Sequence, residues 1–432
     1  MRTGKNNSFC GMLIKSTLIF ISLVLIFNLS SCRKETNTEK LSSKSSLVFS
    51  VDQKIVGHFF CDGEPGLFTT VNKSIQFDSV NSFVSQAYIN KIGLNTTNGK
   101  FVQSILGFNP SLPKYTTIYS TINQLKPNGT SFILNSVFTL YDTGSNPHPY
   151  TKLYITDKTI SALKPFELPD SSIVVNGVKQ MEDGRYAVMS TKGTIKSLSC
   201  FNGNLKSQWT RIVEFGNNSE NYDNFELLVS PNYIYLLQIA NYITKNYRVL
   251  QYDYDGRKIS TYELTSITNK YAAGQIIESP NGFYIIGTRY LPEKSDYDLS
   301  ISTMSPNNKL LEEHGLNITD YFPDWNTASL NLLNTYFSNG CSYTIKTTSG
   351  YAFTFTYPDN KNNRSLALVL LDDQMKVKSV KVIAKIKGVD INQINNQYIT
   401  ILTDGNRLYI LWNQYFNNYF YVLDEEGNLI NE

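Results

Sequence analysis

The 432-residue sequence has few of the residues that build metal centres and nucleophilic active sites. Its three histidines, His58, His148 and His314, are scattered, and none forms a pair with metal-ligand spacing. GxSxG, P-loop and dinucleotide-binding motifs are absent from the sequence, which excludes these common enzyme signatures. We therefore expect no cofactor, and the sequence predicts no catalytic residue.

An excess of charge of either sign is also missing. The chain has 39 Lys and Arg against 36 Asp and Glu, and three of the basic residues lie in the first 31 positions. The remaining chain is therefore close to neutral and has no Lys/Arg block, which excludes nucleic acid as an expected partner. Methionine is scarce (6), whereas Tyr (29) and Phe (24) are abundant, a composition that favours strands over helical bundles.

Cysteine is rare as well, with five residues in the chain. Cys10 lies in the first 31 residues and Cys32 has a separate interpretation, which leaves Cys61, Cys200 and Cys341. This odd number permits at most one internal disulfide, and no two cysteines have CxxC spacing. We expect three small buried thiols.

The beginning of the sequence has the pattern of a secretion signal. Basic residues precede the apolar run LIFISLVLIF, and Leu29-Ser30-Ser31-Cys32 resembles the lipobox of bacterial lipoproteins. The resemblance implies a signal peptide over residues 1–31, and acylation of Cys32, with palmitate-type chains that hold the protein to a membrane. The alternative, a transmembrane anchor, is disfavoured because the run is short for a span of about 20 residues. Residues 33–46 are polar and predict a tether, with Cys32 at its start.

The rest of the chain, residues 47–432, repeats one pattern. The segment LDEEGNLI near residue 423 has apolar residues on both sides of a turn, and similar segments recur at LLDDQMKVKSV, STMSPNNKLLEE, LQYDYDGRKIS and LSCFNGNLKSQW. From Asn98 to Glu426 six intervals span 328 residues, about 55 residues each. A second hairpin pattern, such as VKQMEDGRYAVMS or IIESPNGFYIIGT, precedes each of these segments.

Each unit therefore contains two hairpins, or four antiparallel strands A, B, C and D. Seven such units predict an all-β chain folded as a β-propeller of seven four-stranded blades. Six or eight blades are the alternatives, because the first and sixth units have the least regular spacing. The run SLVFSV (46–51) is a candidate partner for the last strand and a candidate closure of the ring.

The segments DGRYAVMSTKG and TIKSLSCFNGNLKSQW resemble the propeller repeats of many outer-membrane lipoproteins from Bacteroidetes-type bacteria. Only the third unit keeps the Trp of that pattern, Trp209, so the resemblance is to a diffuse class. It implies a cell-envelope lipoprotein. The Lys34-Glu35 step resembles part of a surface-export signal, and the outer surface and the periplasmic face both remain open.

Loop lengths predict two different ends of the propeller. The A–B and C–D turns are short and define what we call the turn face, whereas the B–C and D–A connections vary in length and define the loop face. Aromatic residues are frequent in or beside these longer connections and are the candidate ligand-binding residues: Tyr141, Tyr150, Tyr242, Tyr290, Tyr297, Tyr321, Trp325, Tyr357 and Tyr415. The alternative is that these rings pack the connections onto the blades.

Two function classes follow. The first is a non-catalytic lipoprotein that binds a glycan, peptide or protein partner on the loop face. The second is a propeller hydrolase or lyase acting on a polysaccharide or small ester at the central channel, with Glu226, Asp223 and Asp390 as candidate carboxylates. Glu293, Asp296 and Asp298 are weak candidates for a metal site in a B–C connection.

Overall fold

The computed structural model describes residues 47–49, 54–61, 64–77, 80–92, 101–105, 115–126, 129–140, 148–157, 162–170, 172–213, 222–240, 247–264, 272–291, 296–316, 318–322, 344–358, 363–386, 397–414 and 417–430. These residues form 28 β-strands and a short 3-10 helix, Ile318–Tyr321. None of the helical structure in these ranges is long and apolar enough to span a membrane.

The first half of the described chain contains β1 (Leu47–Phe49), β2 (Lys54–Cys61), β3 (Glu64–Phe77), β4 (Val80–Ile92), β5 (Phe101–Ile105), β6 (Tyr115–Gln124), β7 (Ser131–Leu140), β8 (His148–Asp157), β9 (Lys164–Pro165), β10 (Val174–Gln180), β11 (Tyr186–Lys192), β12 (Ile195–Phe201) and β13 (Ser207–Ile212). The second half contains β14 (Tyr222–Val229), β15 (Tyr233–Ala240), β16 (Tyr247–Asp253), β17 (Lys258–Leu264), β18 (Ala272–Ser279), β19 (Gly282–Leu291), β20 (Asp296–Met304), β21 (Leu310–Gly315), β22 (Thr344–Thr347), β23 (Gly350–Pro358), β24 (Arg364–Leu371), β25 (Val377–Ile386), β26 (Gln397–Thr403), β27 (Arg407–Gln414) and β28 (Asn417–Asp424).

Antiparallel pairing groups these strands into consecutive sets of four, the arrangement expected for propeller blades. In chain order the sets are β2–β5, β6–β9, β10–β13, β14–β17, β18–β21, β22–β25 and β26–β28, the last completed by β1; we number them blades one to seven. In blades one to six the four strands, taken in chain order, are A, B, C and D. The all-β fold and the β-propeller class predicted from the hairpin repeats are confirmed.

Blade seven takes its outermost strand from two distant segments. β1 pairs antiparallel with β28, with Leu47 opposite Phe420 and Phe49 opposite Asn418. Farther along the same edge, Leu423 forms an isolated bridge with Leu429. The innermost strand of blade one, β2, lies beside both β6 and β26, so blades one and seven are neighbours. The 46–51 run therefore pairs with the last blade, but its partner is β28 rather than the short last strand, residues 428–432, that the sequence indicated.

Blades one and two depart from the regular pattern. β3 and β4 pair along their whole length, from Gly66 opposite Lys91 to Phe77 opposite Val80, whereas β2 pairs only as far as Thr70 of β3. The β3–β4 ribbon therefore extends past β2 at the B–C end. Part of β4 pairs in parallel with β6, with Phe83 opposite Thr117, so the two blades share one sheet.

The apolar core lies between successive blades, because alternate residues of a strand point to opposite faces of its sheet. In β15, Ile234 and Leu236 pack in the cluster shared with blade three, whereas Tyr235 and Leu237 pack in the cluster shared with blade five. All four side chains are buried. This arrangement explains why central strands read as nearly continuous apolar runs.

The C–D turns of blades three to seven share one construction. The first residue of each turn, an Asn, Asp or Ser, accepts hydrogen bonds from later backbone N–H groups of the same turn; Asp372 Oδ1, for example, accepts from the N–H groups of Gln374 and Lys376, both at 2.9 Å. Each turn then contains a residue with positive φ: Leu205, Gly256, Asn308, Met375 and Gly427. The carboxylate of Asp253 has the same turn-stabilising role and accepts hydrogen bonds from the N–H groups of Asp255 and Arg257.

The turn face also joins neighbouring blades. Trp209, on β13, donates from Nε1 to the carbonyl oxygen of Tyr254 at 3.0 Å, and its ring lies against Gly256. Tyr235 donates its hydroxyl to the carbonyl of Pro306 at 2.7 Å, and Tyr284 donates to that of Asp373 at 2.9 Å. Each of these bonds runs from one blade to the C–D turn of the next.

Candidate binding face and inner ring

The predicted aromatic residues occupy three kinds of position. Tyr141, Tyr242, Trp325 and Tyr415 lie outside the described residues. Tyr150, Tyr290 and Tyr297 belong to strands near the B–C ends of blades two and five, in β8, β19 and β20. Tyr321 and Tyr357 have described side chains, and both belong to packed structure.

The strand register brings Tyr290 and Tyr297 together. They are direct partners across β19 and β20, at the loop-face end of blade five. Direct partners across an antiparallel strand pair are neighbours in the sheet, so the two residues lie in one short stretch of it. The sequence placed Tyr290 and Tyr297 in or beside a longer connection, whereas both lie in strands, because β19 continues to Leu291 and β20 begins at Asp296.

The pairing of β19 with β20 also fixes the positions of two of the metal-site candidates, Asp296 and Asp298. Asp296 and Asp298 lie in β20 rather than in a loop, opposite Leu291 and Arg289 respectively. Glu293 lies outside the described residues. In the described part of the chain, no group of three His, Cys, Asp or Glu side chains is placed to hold a metal ion.

Tyr357 is a core residue. It lies near the end of β23 with 1% of its surface exposed, and its ring centroid is 4.6 Å from that of Phe322. The Phe322 ring also meets the Phe355 ring edge-on, with centroids 5.6 Å apart. Tyr321, the residue before Phe322, is half-buried. These rings fix the start of the long connection between β21 and β22 onto blades five and six. For Tyr321 and Tyr357 the packing interpretation is the better one.

Part of the loop face is described at blade three. Asp170, in the connection from blade two, pairs with Lys192 at the end of β11 and accepts hydrogen bonds from the backbone and hydroxyl of Ser172. These contacts lower the pKa of Asp170 to about 2, with the Lys192 hydrogen bond as the largest cause. Nearby, Thr191 donates its hydroxyl to Asn176 at 2.7 Å. Sequence reasoning missed this polar surface because its members come from separate segments.

The innermost strands carry a second set of polar contacts. The carboxylate of Glu226, in β14, accepts a hydrogen bond from the backbone N–H of Ile276, in β18, at 2.8 Å. Gln275, at the equivalent position of blade five, both accepts from the Thr344 N–H at 2.7 Å and donates to its carbonyl at 3.0 Å. The innermost strand of a blade has no strand partner on its inner edge, so these side chains satisfy exposed backbone groups there.

Glu226 is the carboxylate with the most perturbed environment among the described residues. Its side chain is half-buried at the inner ring, where loss of hydration raises its pKa to about 7, and the Ile276 N–H and the charge of Lys179 oppose that rise. Blade five has the uncharged Gln275 at the equivalent position, which shows that a hydrogen-bond acceptor is sufficient there. Asp223 lies in β14, and Asp390 lies outside the described residues.

Cys200, the cysteine whose side chain the structure describes, is buried as expected. Cys200 is completely buried between blades three and four, and burial raises its pKa to about 11. Cys61 lies in β2, and Cys32 and Cys341 lie outside the described residues.

Comparison with known proteins gives structural matches only. No family model and no curated protein matches the chain. Among solved structures, the chain is similar to a puromycin hydrolase S511A mutant complexed with PGG, with a TM-score of 0.50 and 12% identity over 88% of this chain and 54% of that one. It also matches the β-propeller domain of the Trilobed protease from Pyrococcus furiosus, with a TM-score of 0.47 and 11% identity over 89% and 97% of the two chains. A third match is the Dos1 propeller, with a TM-score of 0.43 and 10% identity over 89% and 97%.

These similarities concern the fold. The chain spans about half the length of the puromycin hydrolase it matches. At 12% identity the likeness carries no information about activity. The strand pairing and this likeness together define the class of protein as a β-propeller.

Proposed function

We propose that the protein is a cell-envelope lipoprotein, held to a membrane by acyl chains on Cys32, whose propeller binds a glycan, peptide or protein partner through the loop face. The observation that carries the binding proposal is the difference between the two ends of the propeller. On the turn face, five similar C–D turns use their backbone groups within the turn or in contacts with the preceding blade. The connections of the loop face range from the tight turn between β11 and β12 to residues 316–343.

The strand register pairs Tyr290 with Tyr297 at the loop-face end of blade five, and this pair is the part of the loop face that we propose for ligand binding. Aromatic faces supply large contact areas at a small cost in conformational entropy, and they stack on sugar rings and extended peptides. Trp325 belongs to the longest connection of the same face. Tyr357 is left out of the proposed binding set because it is buried.

A matched pair of variants tests the binding proposal. Tyr290, Tyr297 and Trp325 are replaced by Ala in one variant, and the exposed turn-face residues Asn204, Asn307 and Gln374 in the other. Each protein is applied to glycan and peptide arrays, and hits are titrated. We expect the aromatic variant to lose binding by at least about 30-fold, because aromatic anchors commonly contribute about 2 kcal/mol or more. Retained binding by a folded aromatic variant, or lost binding by the turn-face variant, contradicts the proposal.

The anchor has a separate test. Replacing Cys32 by Ser removes the thiol that would carry the lipid, so the protein should move from the detergent phase to the aqueous phase or accumulate as the precursor. Unchanged detergent partitioning of C32S contradicts lipidation. Protease treatment of intact cells then distinguishes display on the surface from a periplasmic location.

The second candidate is a hydrolase or lyase at the central channel. The pKa of Glu226, raised to about 7, favours it because such a carboxyl exchanges protons near neutrality. The equivalent contact in blade five disfavours the enzyme, because Gln275 makes the same kind of hydrogen bond there without a titratable group. Turnover of ester or polysaccharide substrates that disappears in E226Q, with an unchanged fold, favours the enzyme over the binding protein.

A further inference from the structure

Arg364 is a buried cation whose two terminal nitrogens are unsatisfied. It is the first residue of β24, at the loop-face end of blade six, and 2% of its surface is exposed. Neither Nη1 nor Nη2 has a hydrogen-bond partner in the part of the chain that the structure describes. A guanidinium stays protonated in a protein, so it cannot reduce the cost of burial by losing its charge. Leaving such a charge without a counter-charge is strongly destabilising.

The side chain belongs to the interface between blades six and seven. Leu366, Leu368 and Leu370 share the strand face of Arg364 and pack in the core cluster common to the two blades. The residue opposite Arg364 on β25, Ile386, packs against the same cluster. Arg364 therefore lies at the loop-face end of this interface.

A second unsatisfied donor lies in the same cluster. Trp412, in β27, is completely buried, and its indole Nε1 has no hydrogen-bond partner within the described residues. A buried indole N–H usually finds an acceptor. Both groups are donors only, so an acceptor that satisfies them must come from outside the described protein groups.

We propose that the interface between blades six and seven holds a carboxylate group of a small ligand at Arg364, with Trp412 as an additional donor. The two free guanidinium nitrogens form a planar fork, and a carboxylate offers two oxygens in the matching geometry. Water satisfies hydrogen bonds but leaves the charge uncompensated, whereas a carboxylate supplies both acceptors and the opposite charge. This site is distinct from the Tyr290–Tyr297 pair of blade five.

The test compares thermal unfolding of the full chain in sodium acetate, sodium chloride and sodium phosphate at equal ionic strength. The variants are Arg364→Met, Arg364→Lys and the control Arg257→Met, which alters an arginine whose side chain is 76% exposed. We expect saturating acetate to raise the melting temperature of the wild type and of R257M by about 2 °C or more relative to chloride. The melting temperature of R364M should not depend on acetate, and R364K should respond weakly because Lys lacks the fork.

The proposal also predicts how the Arg364→Met substitution changes stability. Without acetate, R364M should be at least as stable as the wild type, because the substitution removes a buried charge without a partner. An equal response to all three salts in wild type and R364M contradicts the proposal and favours bound water. A rise of the melting temperature in phosphate, relative to chloride, that is as large as the rise in acetate contradicts carboxylate selectivity. If R364M does not fold, the line width of carbon-13-labelled acetate is measured with the wild type and with R364K. Broadening by the wild type but not by R364K supports the proposal, and equal broadening by both contradicts it.

Discussion

Glu226 and Ile276 join blades four and five at the inner ring, where the carboxylate accepts the backbone N–H at 2.8 Å. Burial raises the carboxyl pKa from 4.5 to about 7. The folded protein therefore binds more protons at this group than the unfolded chain between these two pH values. Stability contributed by protonated Glu226 is present near pH 4.5 and is lost as the pH rises through about 7.

Replacing Glu226 by Gln should remove this pH dependence. The amide can accept from Ile276 N–H and donate to its carbonyl, as Gln275 does with Thr344. We expect E226Q to gain stability relative to the wild type at pH 8 and to gain less at pH 5, measured by urea unfolding at both values. The reverse change, Q275E, should introduce a loss of stability with rising pH. Parallel pH profiles for wild type and E226Q contradict the raised pKa.

Gly256 has both a conformational and a steric reason to be glycine. Its φ is 77°, and a Cβ atom would lie 2.7 Å from the ring of Trp209. Gly256→Ala should therefore destabilise the fold by more than about 2 kcal/mol. Gly184→Ala is the matched control, because φ is 85° there but nothing lies within 4 Å of the added Cβ. Thermal unfolding gives both values, and equal losses argue against the Trp209 contact.

The pairing of β1 with β28 predicts that a short, distant segment stabilises the last blade. Deleting residues 47–49 removes the partners of Phe420, Tyr419 and Asn418 and should lower the melting temperature by about 2 °C or more. A deletion of equal length at residues 41–43 serves as the control. If the two deletions behave alike in a thermal scan, β1 does not contribute to closure.

Cys200 should be chemically inert in the folded protein. Its thiol is completely buried, and burial raises its pKa to about 11, so little thiolate forms at pH 8. We expect labelling with a maleimide followed by peptide mass spectrometry to find Cys200 unmodified in native protein and modified in urea. Rapid native labelling contradicts the burial.

The sequence alone was sufficient for the repeat, the class of fold and the number of strands in each unit. Turn residues and alternating apolar residues are local signals, and a hairpin forms between neighbours in the chain. The Asp372-to-Met375 turn and its relatives were recognisable because an Asn, Asp or Ser side chain stabilises the same backbone turn each time. Four-stranded units that expose apolar faces then require a neighbour on each side.

Other features depended on which segments meet in three dimensions. The sequence placed Tyr357 in or beside a longer connection, but its ring packs against Phe322 and Phe355 and is buried. Asp296 and Asp298 were assigned to a connection, whereas β20 extends to include them because its partner β19 is equally long. Strand length at a loop is decided by pairing partners, and the local sequence records this poorly.

The tertiary structure also decided the contacts between blades. Glu226 and Gln275 acquire their roles from backbone groups in the next blade, about 50 and 69 residues away along the chain. The burial of Arg364 likewise results from the packing of two blades against each other. A single sequence shows the residues that form hairpins, whereas burial and charge compensation arise only when distant hairpins pack, because both depend on the surroundings of a side chain.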